Sequence, residues 1–273
     1  MTGLVLTLRA PLPQRIDLSP LTPDRLMPLD GSAISRLPLA NGNRHVQVGE
    51  LFAVTGSDPA DLRLVGDCGR CDRIGAGMTN GAIMVDGDAG AYLGLGMRDG
   101  RIRVRGSTAV GAAMEMRGGL IEIGGHAGDL LGGALPGNMK GMSGGLVVVA
   151  GDTGDRVGDR MRRGTIVVEG NAGSYAASRM IAGTVILLGA TVGAYPGFGM
   201  RRGSLILRNR AERELPSFSD SGRHELGFLR LLLRALHGRS PRLDALATQP
   251  GLVRRLVGDH AVGGKGEILL WQD

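Results

Sequence analysis

The sequence predicts an all-β protein that folds as a right-handed parallel β-helix, with an N-terminal cap and a C-terminal extension of helix and strand. The first observation is composition, because 273 residues include 48 glycines but only one Trp, three Tyr and four Phe. A core beneath so many glycines has to be built from aliphatic side chains between tight turns. The second observation is a repeat of about 19 residues. One such unit cannot bury a strand face alone, whereas stacked copies form a continuous core.

Seven methionines mark the repeat, at spacings of 19, 19, 26, 19, 19 and 20 residues: Met78, Met97, Met116, Met142, Met161, Met180 and Met200. A glycine lies three residues after each: Gly81, Gly100, Gly119, Gly145, Gly164, Gly183 and Gly203. An aliphatic residue lies five residues after each: Ile83, Ile102, Ile121, Val147, Ile166, Val185 and Leu205. Another lies seven residues after: Val85, Val104, Ile123, Val149, Val168, Leu187 and Leu207. Aliphatic residues two positions apart share one strand face, so each repeat predicts a short strand that faces a core filled by methionine.

A weaker copy of the repeat precedes these seven, with Leu62, Leu64 and Gly66 at the matching positions. About eight coils are therefore expected over residues 57–208. Other repeat folds fit less well. Leucine-rich repeats need a Leu-x-x-Leu-x-Leu pattern, calcium-binding nonapeptides need Asp in a nine-residue period, and collagen needs glycine at every third residue.

Residues 1–56 are punctuated by proline and are expected to form an irregular N-terminal cap, because an open end of a β-helix invites aggregation. Leu4–Leu8 is the strand candidate in this segment. Val48–Phe52 is interpreted as the start of the first coil. The spacing of 26 residues locates an insertion near Leu130–Gly141, which is either a partner contact or an ordinary surface loop.

Residues 209–273 are expected to hold a helix and a closing strand. His224–His237 has leucines at helical spacing, and Ile268–Trp271 is the strand candidate. The helix has a surface to cover, since the outward positions of the later repeats become apolar and such a stripe needs burial: Val148, Val167, Ile186 and Ile206.

The 32 Lys and Arg residues outnumber 26 Asp and Glu, which gives a net charge of +6. This balance favours anionic ligands or acidic partners. Nucleic acid is not expected, because no basic stretch is interleaved with aromatic residues and no nucleic-acid motif occurs. No signal peptide and no apolar run near 18 residues is seen, so a cytoplasmic protein without membrane contact is expected.

No residue is predicted to be catalytic or to bind a metal. The five histidines do not pair at metal-ligand spacing, and no nucleophile elbow, phosphate loop or zinc-protease motif occurs. Cys68 and Cys71 lack the two further ligands of a zinc site and the βαβ setting of a redox pair, so a structural role is expected. Four polar residues beside turn glycines are interpreted as turn formers: Asp67, Asp88, Asp152 and Asn171.

The periodic Met-x-x-Gly-x-Ile-x-Val-x-Gly pattern, the stretch Lys140–Gly145, the segment Val48–Phe52 and the helix at His224–Leu233 together resemble the C subunit of formylmethanofuran dehydrogenase. This resemblance spans nearly the whole chain. The repeat region, about residues 57–208, also resembles the C-terminal β-helical domain of the glutamate synthase large subunit.

The first resemblance implies one of two complexes. In methanogenic archaea, the C subunit belongs to a tungsten or molybdenum enzyme that reduces carbon dioxide onto methanofuran. In methylotrophic bacteria, its counterpart belongs to a formyltransferase/hydrolase complex of formaldehyde oxidation, which moves a formyl group from tetrahydromethanopterin to a methanofuran-like carrier and releases formate. The scarcity of lysine relative to arginine fits a GC-rich bacterium, which favours the second. Implied partners are amidohydrolase-like, molybdopterin-enzyme-like and formyltransferase subunits, and no cofactor is expected on this chain.

The expected function is that of a non-catalytic structural subunit of the formyltransferase/hydrolase complex. Three alternatives stay open: the dehydrogenase subunit, a glutamate-synthase-like bridging domain, and a stand-alone β-helix enzyme such as a polysaccharide lyase. The last would require stacked carboxylates or aromatic residues on one outer face, which are missing. The resemblance also implies a carrier with an acidic tail. The candidate contacts for such a carrier or for a partner are basic: Lys140, Arg162, Arg163, Arg201 and Arg202. A merely solvated basic face is the alternative.

Overall fold

The computed structural model describes residues 2–247 and 251–271. The strands in these ranges are β1 (Gly3–Leu8), β2 (Ile16–Asp17), β3 (Pro38–Asn41), β4 (Arg44–Gln47), β5 (Phe52–Thr55), β6 (Asp58–Val65), β7 (Cys71–Asp72), β8 (Ala82–Val85), β9 (Arg101–Val104), β10 (Leu120–Ile123), β11 (Ser143–Val149), β12 (Arg163–Val168), β13 (Thr184–Leu187), β14 (Ser204–Leu207), β15 (Ser219–His224), β16 (Val253–Gly258) and β17 (Gly266–Leu270). The helices are α1 (Pro23–Leu26), α2 (Gly31–Ser35), α3 (Val48–Leu51), α4 (Gly227–Ala235), α5 (Pro241–Ala247) and a 3₁₀ turn at His260–Val262.

One large sheet dominates the described residues. Thirteen strands form it, in the order β15–β16–β17–β14–β13–β12–β11–β10–β9–β8–β6–β1–β5. The strands from β1 and β6, through β8–β14, to β17 pair in parallel. The pairs at the two ends of the sheet are antiparallel: β1–β5, β16–β17 and β15–β16. A second line of single parallel bridges joins successive repeats, from Cys68 to Val192. The all-β prediction is confirmed at this level: the protein is built on a large, mainly parallel sheet with few helices.

The predicted column of inward aliphatic residues is confirmed. Ile121 pairs in register with Ile102 on one side and Val147 on the other. The column continues in both directions, through the weak copy of the repeat and beyond the last methionine: Leu4, Leu62, Ile83, Ile102, Ile121, Val147, Ile166, Val185, Leu205 and Ile268. All of these side chains are buried. The closing strand predicted at Ile268–Trp271 is β17.

The methionines and the glycines that follow them also have their predicted roles. All seven repeat methionines are fully buried. The seven glycines three residues later all have positive φ, between 84° and 106°. A Cβ atom on Gly119 would lie 2.7 Å from the Gly100 carbonyl oxygen and 2.7 Å from Met97 Cε. Glycine is therefore required there both for its backbone conformation and for space.

The polar residues interpreted as turn formers accept hydrogen bonds from the backbone of the following repeat. Asp88 accepts a hydrogen bond from the backbone N–H of Ser107 at 2.7 Å, one repeat later. Asp152 accepts one from Asn171 N at 2.7 Å, and Asn171 in turn accepts one from Thr191 N at 3.0 Å. These side chains satisfy backbone donors between repeats, in agreement with the interpretation.

The apolar outer face of the later repeats is covered from within the chain. Leu229, Leu233 and Leu236 pack on the outward side chains predicted to need burial: Val148, Val167, Ile186 and Ile206. The helix is shorter than predicted, since α4 covers Gly227–Ala235 and His224 closes β15. Helix α5 and strand β16 complete the cover and were not predicted.

The N-terminal segment contains more regular structure than the sequence indicated. Strand β1 agrees with the candidate at Leu4–Leu8, but two short helices and the hairpin β3–β4 follow it. Val48–Leu51 forms a helical turn with a capping box between Gln47 and Glu50. It leads into β5, which pairs antiparallel with β1. The segment Val48–Phe52, interpreted as the start of the first coil, therefore forms a helical turn that leads into an antiparallel edge strand.

Candidate functional site

The insertion in the repeat forms one wall of an open cleft of about 680 Å³. Basic residues dominate its charge. The lining residues come from the insertion and from three stacked repeats: Glu115, Arg117, Asn138, Met139, Lys140, Gly141, Ser143, Arg162 and Arg163.

The floor of the cleft follows from the repeat itself. Arg117, Ser143 and Arg162 each come directly after a repeat methionine. Each donates its backbone N–H to the methionine carbonyl of the preceding repeat at 2.7 Å, so the three are stacked. Neighbouring repeats are about 4.8 Å apart, so the backbones of Arg117 and Arg162, which are two repeats apart, lie roughly 10 Å from each other. The small Ser143 side chain between them leaves room for a ligand.

The insertion is held in place by its own hydrogen bonds. Glu115 accepts hydrogen bonds from Asn138 Nδ2 at 2.6 Å and from Leu135 N at 3.2 Å. Arg160 donates to the Asn138 carbonyl oxygen at 3.1 Å and contacts the Met139 sulfur. The loop is thus preformed, and the Glu115 carboxylate, which also lines the cleft, accepts hydrogen bonds from the loop.

Among the residues that the structure describes, the four basic side chains of the cleft have no counter-ion. Arg117, Lys140, Arg162 and Arg163 are exposed, and within the described residues none of them makes an ion pair or a side-chain hydrogen bond. Some arginines elsewhere on the strands are paired, such as Arg63 with Asp86 and Arg101 with Glu122, both at 2.7 Å. The cleft therefore suits a ligand with carboxylate or other anionic groups, which arginine can bind through two parallel hydrogen bonds.

The structure brings together part of the predicted basic set. Lys140, Arg162 and Arg163 all line the cleft. Arg201 continues the column of Arg162 two repeats later, because Ile181 N bonds to Met161 O and Arg201 N to Met180 O. Arg201 and Arg202 are exposed but do not line the cleft. Arg117 was missed, although it has the same position relative to methionine as Arg162.

The lining of the cleft contains one hydroxyl and one carboxylate, those of Ser143 and Glu115. Ser143 is the hydroxyl in its lining, and neither a histidine nor a cysteine accompanies it there. In residues 2–247 and 251–271, no three His, Cys, Asp or Glu side chains are grouped to hold a metal ion. The arrangement can bind and orient an anion.

The two cysteines lie in the core. Cys68 and Cys71 are free thiols and fully buried, and Cys71 N donates to the Cys68 carbonyl oxygen at 2.8 Å. The hydrogen bond to Cys68 raises the pKa of the Cys71 thiol far above its ordinary value of 9.0, and burial raises the pKa further. Because the thiolate is the reactive form, we expect the buried Cys71 thiol to react slowly in the folded protein.

We expect that a thiol reagent at pH 8 labels neither cysteine in the native protein and labels both in urea. The raised pKa also sets a pH dependence. Above about pH 9 the unfolded chain loses the Cys71 proton while the folded chain keeps it, so the free energy of unfolding falls as the pH rises. Urea titrations at pH 7 and pH 10 measure the fall, and a Cys71→Ala variant should show less of it. Fast labelling of the native protein would contradict the prediction.

No helix within the described ranges is long and apolar enough to cross a membrane.

Comparison with known proteins identifies C subunits of two related complexes as relatives. No protein-family model matches the chain. The C subunit of the formyltransferase/hydrolase complex Fhc of Methylorubrum extorquens is 41% identical over 88 residues, 32% of this chain and 33% of the relative. The C subunit of the tungsten-containing formylmethanofuran dehydrogenase 2 of Methanococcus maripaludis is 33% identical over 95 residues, 34% and 35% of the two chains. These matches therefore span about a third of each curated relative.

A solved structure matches over nearly the full length. The matching chain belongs to the X-ray crystal structure of the formyltransferase/hydrolase complex FhcABCD from Methylorubrum extorquens in complex with methylofuran. Sequence identity is 41% and the TM-score is 0.88, with 97% of this chain and 98% of that chain covered.

Proposed function

Because this chain belongs to the family of formylmethanofuran dehydrogenase C subunits, we propose that it is the C subunit of a formyltransferase/hydrolase complex. The full-length match to a chain of such a complex, at 41% identity, is the observation that supports this choice most. In the proposed complex, a formyl group moves from formyl-tetrahydromethanopterin to a methanofuran-like carrier and is released as formate. The dehydrogenase subunits match at 33% and 34% over about 95 residues, which makes the dehydrogenase complex the second candidate.

We propose further that the stacked repeats wind as a right-handed parallel β-helix and that this rigid body is a scaffold for catalytic subunits. Amidohydrolase-like, molybdopterin-enzyme-like and formyltransferase subunits are the proposed partners, and the cytoplasm is the proposed location. In-register pairing over ten strands supports a rigid role. A fixed separation matters when a tethered intermediate moves between active sites, because the tether sets its effective concentration.

Purification from the native host tests the complex. The full chain carries an affinity tag, and the proteins retained with it are identified by mass spectrometry and assayed for formate release. Retention of a formyltransferase with formate-releasing activity supports the hydrolase complex. Retention of a molybdenum or tungsten subunit favours the dehydrogenase, and retention of neither overturns the proposal.

The isolated chain should catalyse no formyl transfer or hydrolysis. The lining of the basic cleft pairs the Ser143 hydroxyl with neither a histidine nor a cysteine, and the Glu115 carboxylate there is engaged by hydrogen bonds from Asn138 and Leu135. The measurement is formate release from the formyl-carrier by the purified chain, repeated after the copurified subunits are added back. Turnover by the chain alone that is lost in a Ser143→Ala variant would show that the cleft is an active site.

The basic cleft is the proposed contact for an anionic carrier or an acidic partner. Changing Arg162 and Arg163 to glutamate should slow formate release at low ionic strength by about tenfold, because the attraction that steers an anion is reversed. The loss should shrink as salt screens the charges. Changing Arg201 and Arg202, outside the cleft, should have a smaller effect of the same kind.

The matched control is an Arg36→Glu, Arg44→Glu variant. Both residues are exposed in the N-terminal segment. Each Arg→Glu substitution lowers the net charge by two, so this control and the cleft variant both change it from +6 to +2. If this control slows turnover as much as the cleft variant, only net charge matters and the cleft is not a site.

A further inference from the structure

The tyrosines of this chain share one corner of the repeat. Tyr92, Tyr175 and Tyr195 each lie five residues before a repeat methionine, and they are the three tyrosines of the sequence. Each donates its backbone N–H to a carbonyl 18 or 19 residues later in the chain, at 2.8 to 2.9 Å, so they occupy equivalent positions in the stack. A chain with only eight aromatic residues thus places three of them in one column.

At the C-terminal end of this column, three aromatic rings and one arginine form a cluster. We call this cluster the aromatic corner: Arg156, Tyr175, Tyr195 and Phe198. The rings of Tyr175 and Tyr195 are 5.7 Å apart. Phe198 meets Tyr175 edge to face at 5.9 Å and 90°, and Arg156 lies over the Tyr175 ring at 4.9 Å. Phe198 is 48% exposed, whereas Arg156, Tyr175 and Tyr195 are half-buried, so Phe198 is the member of the cluster that faces solvent most.

Folding does not require these rings. Tyr175 and Tyr195 have φ of 61° and 59°, a left-handed conformation that disfavours residues with a Cβ. Gly111 occupies the equivalent position three repeats before Tyr175, with φ of 78°. Leu130 and Arg156 fill the same position in the intervening repeats, both with φ of 61°. The left-handed conformation therefore belongs to the repeat, and the repeat accepts side chains without an aromatic ring there.

Hydrogen bonds hold the backbone that carries the cluster. Arg179 donates its backbone N–H to the Phe198 carbonyl oxygen and binds both carboxylate oxygens of the buried Asp159, at 2.9 and 2.6 Å. Ser178 donates a hydrogen bond to the same carboxylate at 2.7 Å. Preformed anchors bind more tightly because less conformational freedom is lost.

We propose that the aromatic corner is the anchor of a protein–protein interface, and that its occupant is the acidic surface of another subunit of the complex. Tyrosine, phenylalanine and arginine are enriched at the centres of interfaces. Charge complementarity indicates the occupant. Arg156 makes no ion pair within the described residues, the exposed Arg213 accepts the backbone hydrogen bond of Tyr195, and the exposed Arg201 follows shortly after Phe198. This inference rests on the proposed membership in a complex.

The test compares three tagged chains in the native host: wild type, Tyr175→Ala combined with Phe198→Ala, and Phe228→Ala. Phe228 is the matched control, because it is 41% exposed but lies on α4, away from the corner. The corner variant should lose one subunit that wild type and control both retain, with at least a roughly tenfold rise in Kd for that subunit. Thermal melting verifies folding, and an Arg156→Glu variant, which leaves the rings intact, should weaken the same contact.

Two outcomes separate the inference from the proposed function. Wild type that retains its subunits, together with corner variants that retain them with unchanged affinity, overturns the aromatic corner alone. Wild type that retains no subunit overturns both. The remaining possible occupant is a second copy of this chain, which sedimentation of the purified chain tests. A dimer that the Tyr175→Ala substitution dissociates would assign the corner to self-association and overturn the proposal.

Discussion

Replacing Ile121 by aspartate is expected to abolish the cooperative folding of the chain. Ile121 is fully buried in the middle of the inward column, between Ile102 and Val147. An aspartate there would have to be buried without a partner or force the repeats apart. A buried, unpaired charge costs several kcal/mol, which is comparable to the whole stability of a typical domain. Circular dichroism and thermal melting should show an unfolded or aggregated protein.

A matched control separates burial from chemistry. Ile181→Asp makes the same change at a half-buried position beside the exposed arginine column, and it should shift the melting temperature by only a few degrees. A soluble Ile121→Asp protein that melts cooperatively, with a stability close to that of Ile181→Asp, would contradict the assignment of the inward column.

The repeat made the core predictable because each of its positions has one physical role. Residues five and seven after each methionine face inward since strand side chains alternate, and the glycines adopt positive φ. The outward stripe was predictable for the same reason, because apolar residues at Val167 and Ile186 had to be covered. The non-repeating parts were not predictable in this way. Helix α5 and strand β16 carry no periodic signal strong enough to distinguish them from loop.

The cleft was predicted only in part, for a geometric reason. Arg162 and Arg163 stood out as a pair, and Lys140 stood out in the insertion. Arg117 is far from them in sequence, and only the stacking of repeats brings it to the same floor. The hydrogen bonds that Glu115 accepts depend on how the loop folds back. The aromatic corner was likewise invisible, because a common offset from methionine does not reveal which rings touch.

The second large effect is expected at the helical cover. Leu233 on α4 is 5% exposed and belongs to the cluster with Val167, Ile186 and Ile206. Leu233→Asp should lower the free energy of unfolding by about 2–5 kcal/mol, since the apolar contact is lost and a charge faces an apolar sheet. The helix would undock and expose the outer stripe, which favours aggregation. Urea denaturation, dye binding to apolar surface and proteolysis within α4 measure these effects.

The control for the cover is on the same helix. Leu231 is 66% exposed, so Leu231→Asp makes the identical change two residues away without touching the sheet. It should leave stability within about 0.5 kcal/mol of wild type and should not increase dye binding. The comparison works because the substitutions share helix propensity and charge, and differ only in the face of α4 they occupy. Equal destabilisation by both would mean that the helix itself is sensitive to charge, and that its packing on Val167 and Ile186 contributes little to the fold.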